Sequence, residues 1–259
     1  MKGSLLWVQE TVLHLHCPMM IAVVADLHER PYYPILDSLR HFHPDLICIP
    51  GDLFQGSHPP GRIPVALRSE YALPFLDACN QIAPCFFSLG NHEWLLGDED
   101  FRLISHTGTH ILNNSWESFN GLQLGGLTSA YVKEFQRILH EGSGQYPHRE
   151  YGRRRKLCPE LNWIRDFENQ PGYKLLLCHH PEYWADYLKD SSIDLVISGH
   201  AHGGQIRFFG HGLFAPGQGF FPRYTAGIHE NLVISCGLSN TARPIPRLFN
   251  PPELLYLVP

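Results

Sequence analysis

The sequence predicts an α/β fold with a mostly parallel sheet, and three observations carry that expectation. Short apolar runs alternate with segments of helical periodicity from Met20 to Leu89, the order of right-handed strand–helix–strand crossovers. The runs are apolar throughout, as strands covered on both faces must be. Polar, ligand-rich motifs follow them, at the carboxyl ends where open α/β sheets bind ligands.

The elements follow in order. Val8 to Leu15 alternates in part and reads as an edge strand. Met20 to Ala25 is short, apolar and β-branched, a buried strand. Ile35, Leu36 and Leu39 recur at helical spacing over Pro34 to His41, with Pro44 just beyond. Leu46 to Ile49 is the next strand, and Gln55 to Pro64 is a loop rich in Gly and Pro. Val65 to Gln81 reads as a helix broken at Pro74. Cys85 to Leu89 is a third strand and Asp98 to His106 another helix. Ile111 to Leu112 and Leu122 to Leu127 read as strands around a turn at Asn120-Gly121. Tyr173 to Cys178 and Ile193 to Ser198 are strands joined by a helix around Tyr183 to Lys189. Leu232 to Cys236 and Leu254 to Val258 are expected to close a second sheet.

Between these lies a long polar stretch, Tyr131 to Gly172, with Gly142-Ser143-Gly144 and the basic run Arg153-Arg154-Arg155-Lys156. It reads as a helix, a loop and a second helix near Pro159 to Glu168. It is either a solvated excursion or a lid over a site. Neither a repeat nor a clear linker divides the chain, so residues 1–259 are expected to form one domain, with 131–172 as an insertion.

Composition narrows the function classes. The formal net charge is -5, which argues against an extended nucleic-acid-binding face. Seven Cys, without CxxC spacing, suggest neither a disulfide framework nor a zinc knuckle, and favour a reducing compartment. Cys48, Cys85, Cys178 and Cys236 sit inside apolar runs and read as small core residues. Cys178 adjoins His179, which leaves a catalytic thiol as a minor alternative. No stretch approaches the ~20 apolar residues that span a bilayer. The first residues do not read as a signal peptide, so the cytoplasm is the expected location.

The chemistry lies in five motifs: Asp26-Leu27-His28, Gly51-Asp52, Gly90-Asn91-His92-Glu93, Cys178-His179-His180 and Gly199-His200-Ala201-His202. Asp26 and His28, two apart, can reach one ion. Gly51 allows a sharp turn, and the two oxygens of Asp52 can bridge two cations. Asn91 offers an amide oxygen and His92 an imidazole free for proton transfer. His200 and His202 can serve two neighbouring ions from one loop. A lone motif of this kind would read as a capped strand end. Five after apolar runs read as one convergent site for hard or borderline divalent metals.

This ordered set resembles the calcineurin-like metallophosphoesterase superfamily over Asp26 to His202. The tail, Gly199 to Ile206 and then Arg247 to Glu253, is similar to a small bacterial phosphodiesterase branch. The resemblance implies a four-layer α/β/β/α sandwich with a dinuclear metal site at strand C-terminal ends. By motif, Asp26, His28 and His202 would hold one metal, Asn91, His179 and His200 the second, and Asp52 would bridge. His179 is preferred to His180 because it follows its strand directly. The ions would be Mn²⁺ first, with Fe, Zn²⁺ or Mg²⁺ as alternatives. They would stand about 3.5–4 Å apart and share the attacking hydroxide. His92 would serve as general acid, since an ordinary imidazole titrates near operating pH, and Glu93 would orient a neighbour.

The protein-phosphatase branch carries Asp-Arg-Gly shortly after its Gly-Asp motif. Here Leu53, Phe54 and Gln55 follow Asp52, which disfavours a protein substrate. Small-molecule or nucleotide-type phosphodiesters are the expected class. The alternatives are a nucleotide-sugar lipid precursor cleaved at its pyrophosphate, a nuclease, or a metal-free scaffold of the same fold. Arg223 and Tyr224 are candidate substrate contacts. Phe208-Phe209 and Phe220-Phe221 could stack on a base, cover an acyl chain, or simply pack onto the second sheet.

Overall fold

A computed structural model describes residues 7–56, 63–140, 157–239 and 246–259. The loop 57–62, the Gly142-Ser143-Gly144 stretch and the Arg153–Lys156 run lie outside them.

The first half builds one sheet with helices on its outer face. β1 (Gln9–His14) and β2 (Ile21–Val23) lead into α1 (Tyr33–Phe42) and β3 (Leu46–Ile49). α2 (Val65–Arg68) and α3 (Ala72–Asn80) precede β4 (Cys85–Ser88), and α4 (Asp98–His106) precedes β5 (His110–Leu112). β2, β3, β4 and β5 pair in parallel. The second half runs β6 (Ser115–Phe119), β7 (Leu122–Leu127), α5 (Ala130–His140), α6 (Ile164–Glu168), β8 (Tyr173–Cys178), α7 (Pro181–Tyr183) and β9 (Leu195–Ser198). A π-helical turn over Trp184–Leu188 extends α7. Two small hairpins follow, β10 (Arg207–Phe208) with β11 (His211–Gly212) and β12 (Phe214–Ala215) with β13 (Gly219–Phe220). β14 (Gly227–His229), β15 (Leu232–Ile234) and β16 (Glu253–Val258) complete the chain.

The result is two six-stranded sheets, ordered β1-β16-β2-β3-β4-β5 and β14-β15-β9-β8-β7-β6. Strand parity assigns the layers. Ile21, Val23, Leu46, Cys48 and Phe86 face Leu124, Leu175, Leu177, Ile197 and Val233 between the sheets. Ala22, Ile47, Ile49 and Phe87 face Ile35, Leu39, Phe75 and Leu76 of the first helical layer. Leu176, Val196 and Ile234 face Phe167, Trp184 and Leu188 of the second. This is the four-layer α/β/β/α sandwich.

Three expectations are corrected. The segment Leu254 to Val258 closes the first sheet, not the second: β16 lies between β1 and β2, antiparallel to β2. Its Leu254 and Tyr256 face the helices while Leu255 and Leu257 face the other sheet, so both its faces need cover and a central position supplies it. The helix over Val65 to Gln81 breaks at Ser69–Tyr71 rather than at Pro74. The Ser69 hydroxyl accepts the Ala72 N–H at 3.0 Å, and Pro74 sits in the first turn of α3, where its missing N–H costs nothing. The Asn120-Gly121 turn joins β6 to β7, while β5, over Ile111 and Leu112, belongs to the other sheet. Asn120 and Gly121 have φ of 47° and 82°, the conformation a tight two-residue hairpin requires. Among the described residues no helix is long and apolar enough to cross a membrane.

Leu255→Ala tests the placement of β16. The residue is 2% exposed and packs between the sheets, so the substitution should cost roughly 2–5 kcal/mol in urea unfolding. A cost below about 0.5 kcal/mol, the scale of surface changes, would contradict the packing.

Candidate metal centre

Five parallel strands end at one edge of the sandwich. β2, β3 and β4 deliver Asp26, His28, Asp52, Asn91 and His92 from the first sheet. β8 and β9 deliver His179, His200 and His202 from the second. The loops are sewn together by backbone bonds: His28 N–H to Asp52 O at 3.0 Å, Glu29 N–H to Leu53 O at 2.9 Å, and Gly199 N–H to His179 O at 3.1 Å. Asp26 joins the two sheets, accepting the His200 N–H at 3.1 Å.

The donor atoms form overlapping groups. Asp26, His28 and His202 make one; Asp52, His179 and His200 make another; Asp52 also meets His28 and His92. Asp26 Oδ1 stands 3.7 Å from His202 Nε2 and 3.9 Å from His28 Nε2. Asp52 Oδ2 stands 3.1 Å from His179 Nε2, 3.7 Å from His28 Nε2 and 3.9 Å from His92 Nε2. Six of the seven predicted ligands fall in these groups, with Asp52 near both sets, and His200 also meets His180 and Glu182. Buried Asn91 has no hydrogen bond to its Oδ1, nor has buried His28 to either ring nitrogen, among the described residues. Such orphans are costly unless a cation takes them. This oxygen-and-imidazole set without thiolate fits divalent metal.

Backbone strain is concentrated here. Asp26, His28, Asp52, His200 and His202 all have φ between 46° and 65°, a region non-glycine residues enter at a cost of order 1–3 kcal/mol each. Gly51, at φ 129°, leaves no room for a side chain: a Cβ would fall 2.6 Å from the Gly90 N and 2.8 Å from the His179 Nδ1. That close approach of loops is what brings Asp52 to His179.

Carboxylates and imidazoles shift one another within the cluster. Burial works to raise the Asp52 carboxyl, but the imidazoles of His179, His92 and His28 hold it well below the usual range. Burial lowers His28, His200 and His202, with other imidazoles adding to the effect at His28 and His200; they stand neutral, as metal ligands must. Burial also lowers His179, yet the Asp52 carboxylate prevails and raises it to about 9.

A second layer fixes these groups. Glu93, fully buried, accepts three backbone N–H groups: Gly90 at 2.7 Å, Asp52 at 2.9 Å and Phe54 at 3.0 Å. It clamps the Gly51-Asp52 turn to the Gly90-Asn91 turn. Burial and the Asp52 charge push its carboxyl up to about 8, while the donated N–H groups pull the other way. His202 Nδ1–H donates to the Ser239 carbonyl at 2.9 Å, leaving Nε2 for the centre. Asn250 donates to the His202 carbonyl at 2.7 Å, and Arg247 donates to the carbonyls of Ser239, Gly237, Asn250 and Pro251. The Arg247 to Glu253 stretch is therefore the rear brace of the His200–His202 loop.

Sequence reasoning missed Ser129 and Glu182. Fully buried His180 pairs through Nε2 with the Ser129 hydroxyl at 2.7 Å and lies 3.3 Å from Glu182 Oε1 through Nδ1. The Ser129 N–H reaches the Leu89 carbonyl at 2.9 Å, so this relay connects the His179 loop to the strand before Asn91. A lone Ser after β7 carries no sequence signal for that. Cys178 is fully buried with its thiol pushed up by burial, a core residue and no nucleophile. Tyr224 packs on Trp184 and His229, with the exposed Arg223 guanidinium over its ring. Neither is among the residues gathered at the centre.

Fold and site together define a metallophosphoesterase, a hydrolase of phosphate esters. The chain belongs to the calcineurin-like phosphoesterase family, whose model matches residues 19–204. It is 27% identical over 246 residues to the uncharacterized protein YpbG of Bacillus subtilis, covering 91% of this chain and 79% of that one. It is 30% identical over 236 residues to the uncharacterized metallophosphoesterase Cj0846 of Campylobacter jejuni. That match covers 90% of this chain but 55% of the relative, so the chain spans about half its length. It is 27% identical over 233 residues to the phosphodiesterase YaeI of Escherichia coli K12, covering 82% of this chain and 70% of YaeI.

Two outcomes follow. Glu93→Gln keeps shape but replaces one acceptor oxygen with a donor facing backbone N–H groups. It should lose about 1–3 kcal/mol of stability and loosen metal binding, read by urea unfolding and metal titration; wild-type values for both would refute the clamp. His179 is protonated below about 9 when no cation is bound. Cation loading near pH 7.5 should then release about one proton from it. That release should fade as the pH rises past 9. Calorimetry in buffers of different ionisation enthalpy measures it, and zero release near pH 7.5 would sink the assignment.

Proposed function

We propose that this chain hydrolyses phosphodiesters of small molecules, using two divalent cations, manganese by preference. The observation that supports this most is the position of Asp52, shared between the two ligand groups with His92 on their open side. Asp26, His28 and His202 would hold one cation and Asn91, His179 and His200 the other, with Asp52 common to both. When bound, the cations supply charge neutralisation on the phosphoryl oxygens and a water that ionises near neutral pH.

The chain's own groups do the rest. His92 Nδ1 lies 2.6 Å from the Gln55 carbonyl. A carbonyl only accepts, so Nδ1 carries its proton in either charge state. The working nitrogen is then Nε2, which faces Asp52. The His92 N–H also donates to Asp52 Oδ1 at 2.9 Å, so backbone and ring are both held. With a side chain 14% exposed, His92 is the group of the cluster that a substrate can reach from solvent. Protonated at Nε2, it donates to the departing ester oxygen and returns to the Nδ1–H tautomer that Gln55 favours. Trp94 donates to the Gly56 carbonyl at 3.1 Å and holds the same loop from beneath.

His92→Ala should lower turnover of bis-p-nitrophenyl phosphate with Mn²⁺ by about 10²–10⁴-fold while metal content stays at the wild-type level. Retained turnover would remove His92 from the reaction. Faster cleavage of the mono-ester than of the di-ester by the wild type would overturn the diester preference.

A further inference from the structure

Apolar side chains stand out from three loops next to the metal centre. Phe209 is 100% exposed, Phe221 82%, Phe249 76% and Phe220 68%, with Phe208 and Leu248 about half exposed. They form one region. The Phe208 and Phe249 rings lie 5.6 Å apart, Arg207 N–H donates to the Leu248 carbonyl, and Phe221 N–H donates to the Leu213 carbonyl. Leu213 in turn bonds to the carbonyls of Gly204 and Ile206.

The backbone holds the rings outward against its own preference. Phe209, Phe221 and Phe249 have φ of 48°, 53° and 52°, and a bulky residue at positive φ is a true outlier. Nothing these rings touch within the fold repays it, since they are the more exposed members of the group. Strain of this sort marks a site of use.

Charge is skewed in the same region. Among the described residues from Leu195 to Pro252 the chain carries Arg207, Arg223 and Arg247 and a single acid, Glu230, although its net charge is -5. Arg247 is turned inward onto carbonyls, which leaves Arg207 and Arg223 toward the surface. Arg223 is exposed directly after Phe221-Pro222.

We infer that these loops dock this protein on an anionic lipid bilayer. Rings on separate loops are points, and a bilayer accepts points without a matching pocket, whereas protein partners need complementary surfaces. Flanking arginine suits anionic headgroups. The Gln205 carbonyl accepts the Leu248 N–H at 3.1 Å, and Asn250 holds His202. Docking therefore places the metal centre beside the lipid–water boundary. The docking stands independently of the diester chemistry, and its test needs no turnover.

The test is flotation of the full chain with vesicles of phosphatidylcholine alone and of phosphatidylcholine mixed with phosphatidylglycerol. The comparison variant combines Phe209→Asn, Phe221→Asn and Phe249→Asn, since Asn tolerates positive φ and the fold should hold. Wild type should float with the mixed vesicles, and the variant should partition at least about tenfold less. Phe209→Trp should show blue-shifted emission on vesicles, quenched by brominated lipid. No flotation of wild type, or equal flotation of the triple variant, would overturn the inference. So would light scattering that shows a wild-type dimer made monomeric by the triple variant, which would assign the patch to a second copy. Should the triple variant fail to fold, the tryptophan emission decides.

Discussion

A buried carboxylate is the constraint from which the rest of this structure follows. Asp52 is 1% exposed, and a charge there is tolerable only with compensating groups close by. Those groups cannot come from one loop. His28 and His92 belong to the first sheet and His179 to the second, so the two sheets must meet at their carboxyl edges for Asp52 to be accommodated. The Gly51 turn and the Glu93 clamp then set where its oxygens point. The imidazole side of the balance is incomplete, because burial holds His28, His200 and His202 neutral. Divalent cations would close that balance.

Much of this was legible in the chain, for a physical reason. A parallel strand buried on both faces is an unbroken apolar run, and a ligand at its end is the first polar residue after it. Asp26, Asp52, Asn91, His179 and His200 could therefore be read as neighbours without knowing the order of the strands. Parity assigns the layers once the strands are placed, since Ile21 and Val23 must face opposite to Ala22. What could not be read was which sheet takes a given strand. β16 is apolar on both faces, and either sheet would satisfy that. β6, with the sequence Ser-Trp-Glu-Ser-Phe, is a half-exposed edge strand whose composition does not separate it from a loop. The helix break at Ser69–Tyr71 depends on one hydroxyl cap and outweighed the better-known signal of Pro74.

The brace behind the ligands was the least legible part. Glu93 showed as a polar neighbour of His92, but its three N–H partners come from segments far apart in the chain. Arg247 and Asn250 showed as part of a tail pattern with no stated task. Their work is to hold carbonyls, and a carbonyl has no letter in the sequence. The same holds for Ser239 and Gln55, whose backbone oxygens select the tautomers of His202 and His92. Side-chain chemistry can be listed from a sequence; the main-chain acceptors that aim it become visible only with the fold.

The central place of β16 also bears on how the molecule reaches its folded state. Its Leu257 pairs with Ile21 of β2, close to the longest loop closure this chain can make. Until that closure, β2 presents an unpaired, wholly apolar edge, and β1 has no partner at all. Such a late, long-range pairing is slow, and a bare edge invites pairing with other chains in the meantime. The strand that follows the brace of the finished metal loop is also the one whose arrival ends the period of greatest risk of aggregation.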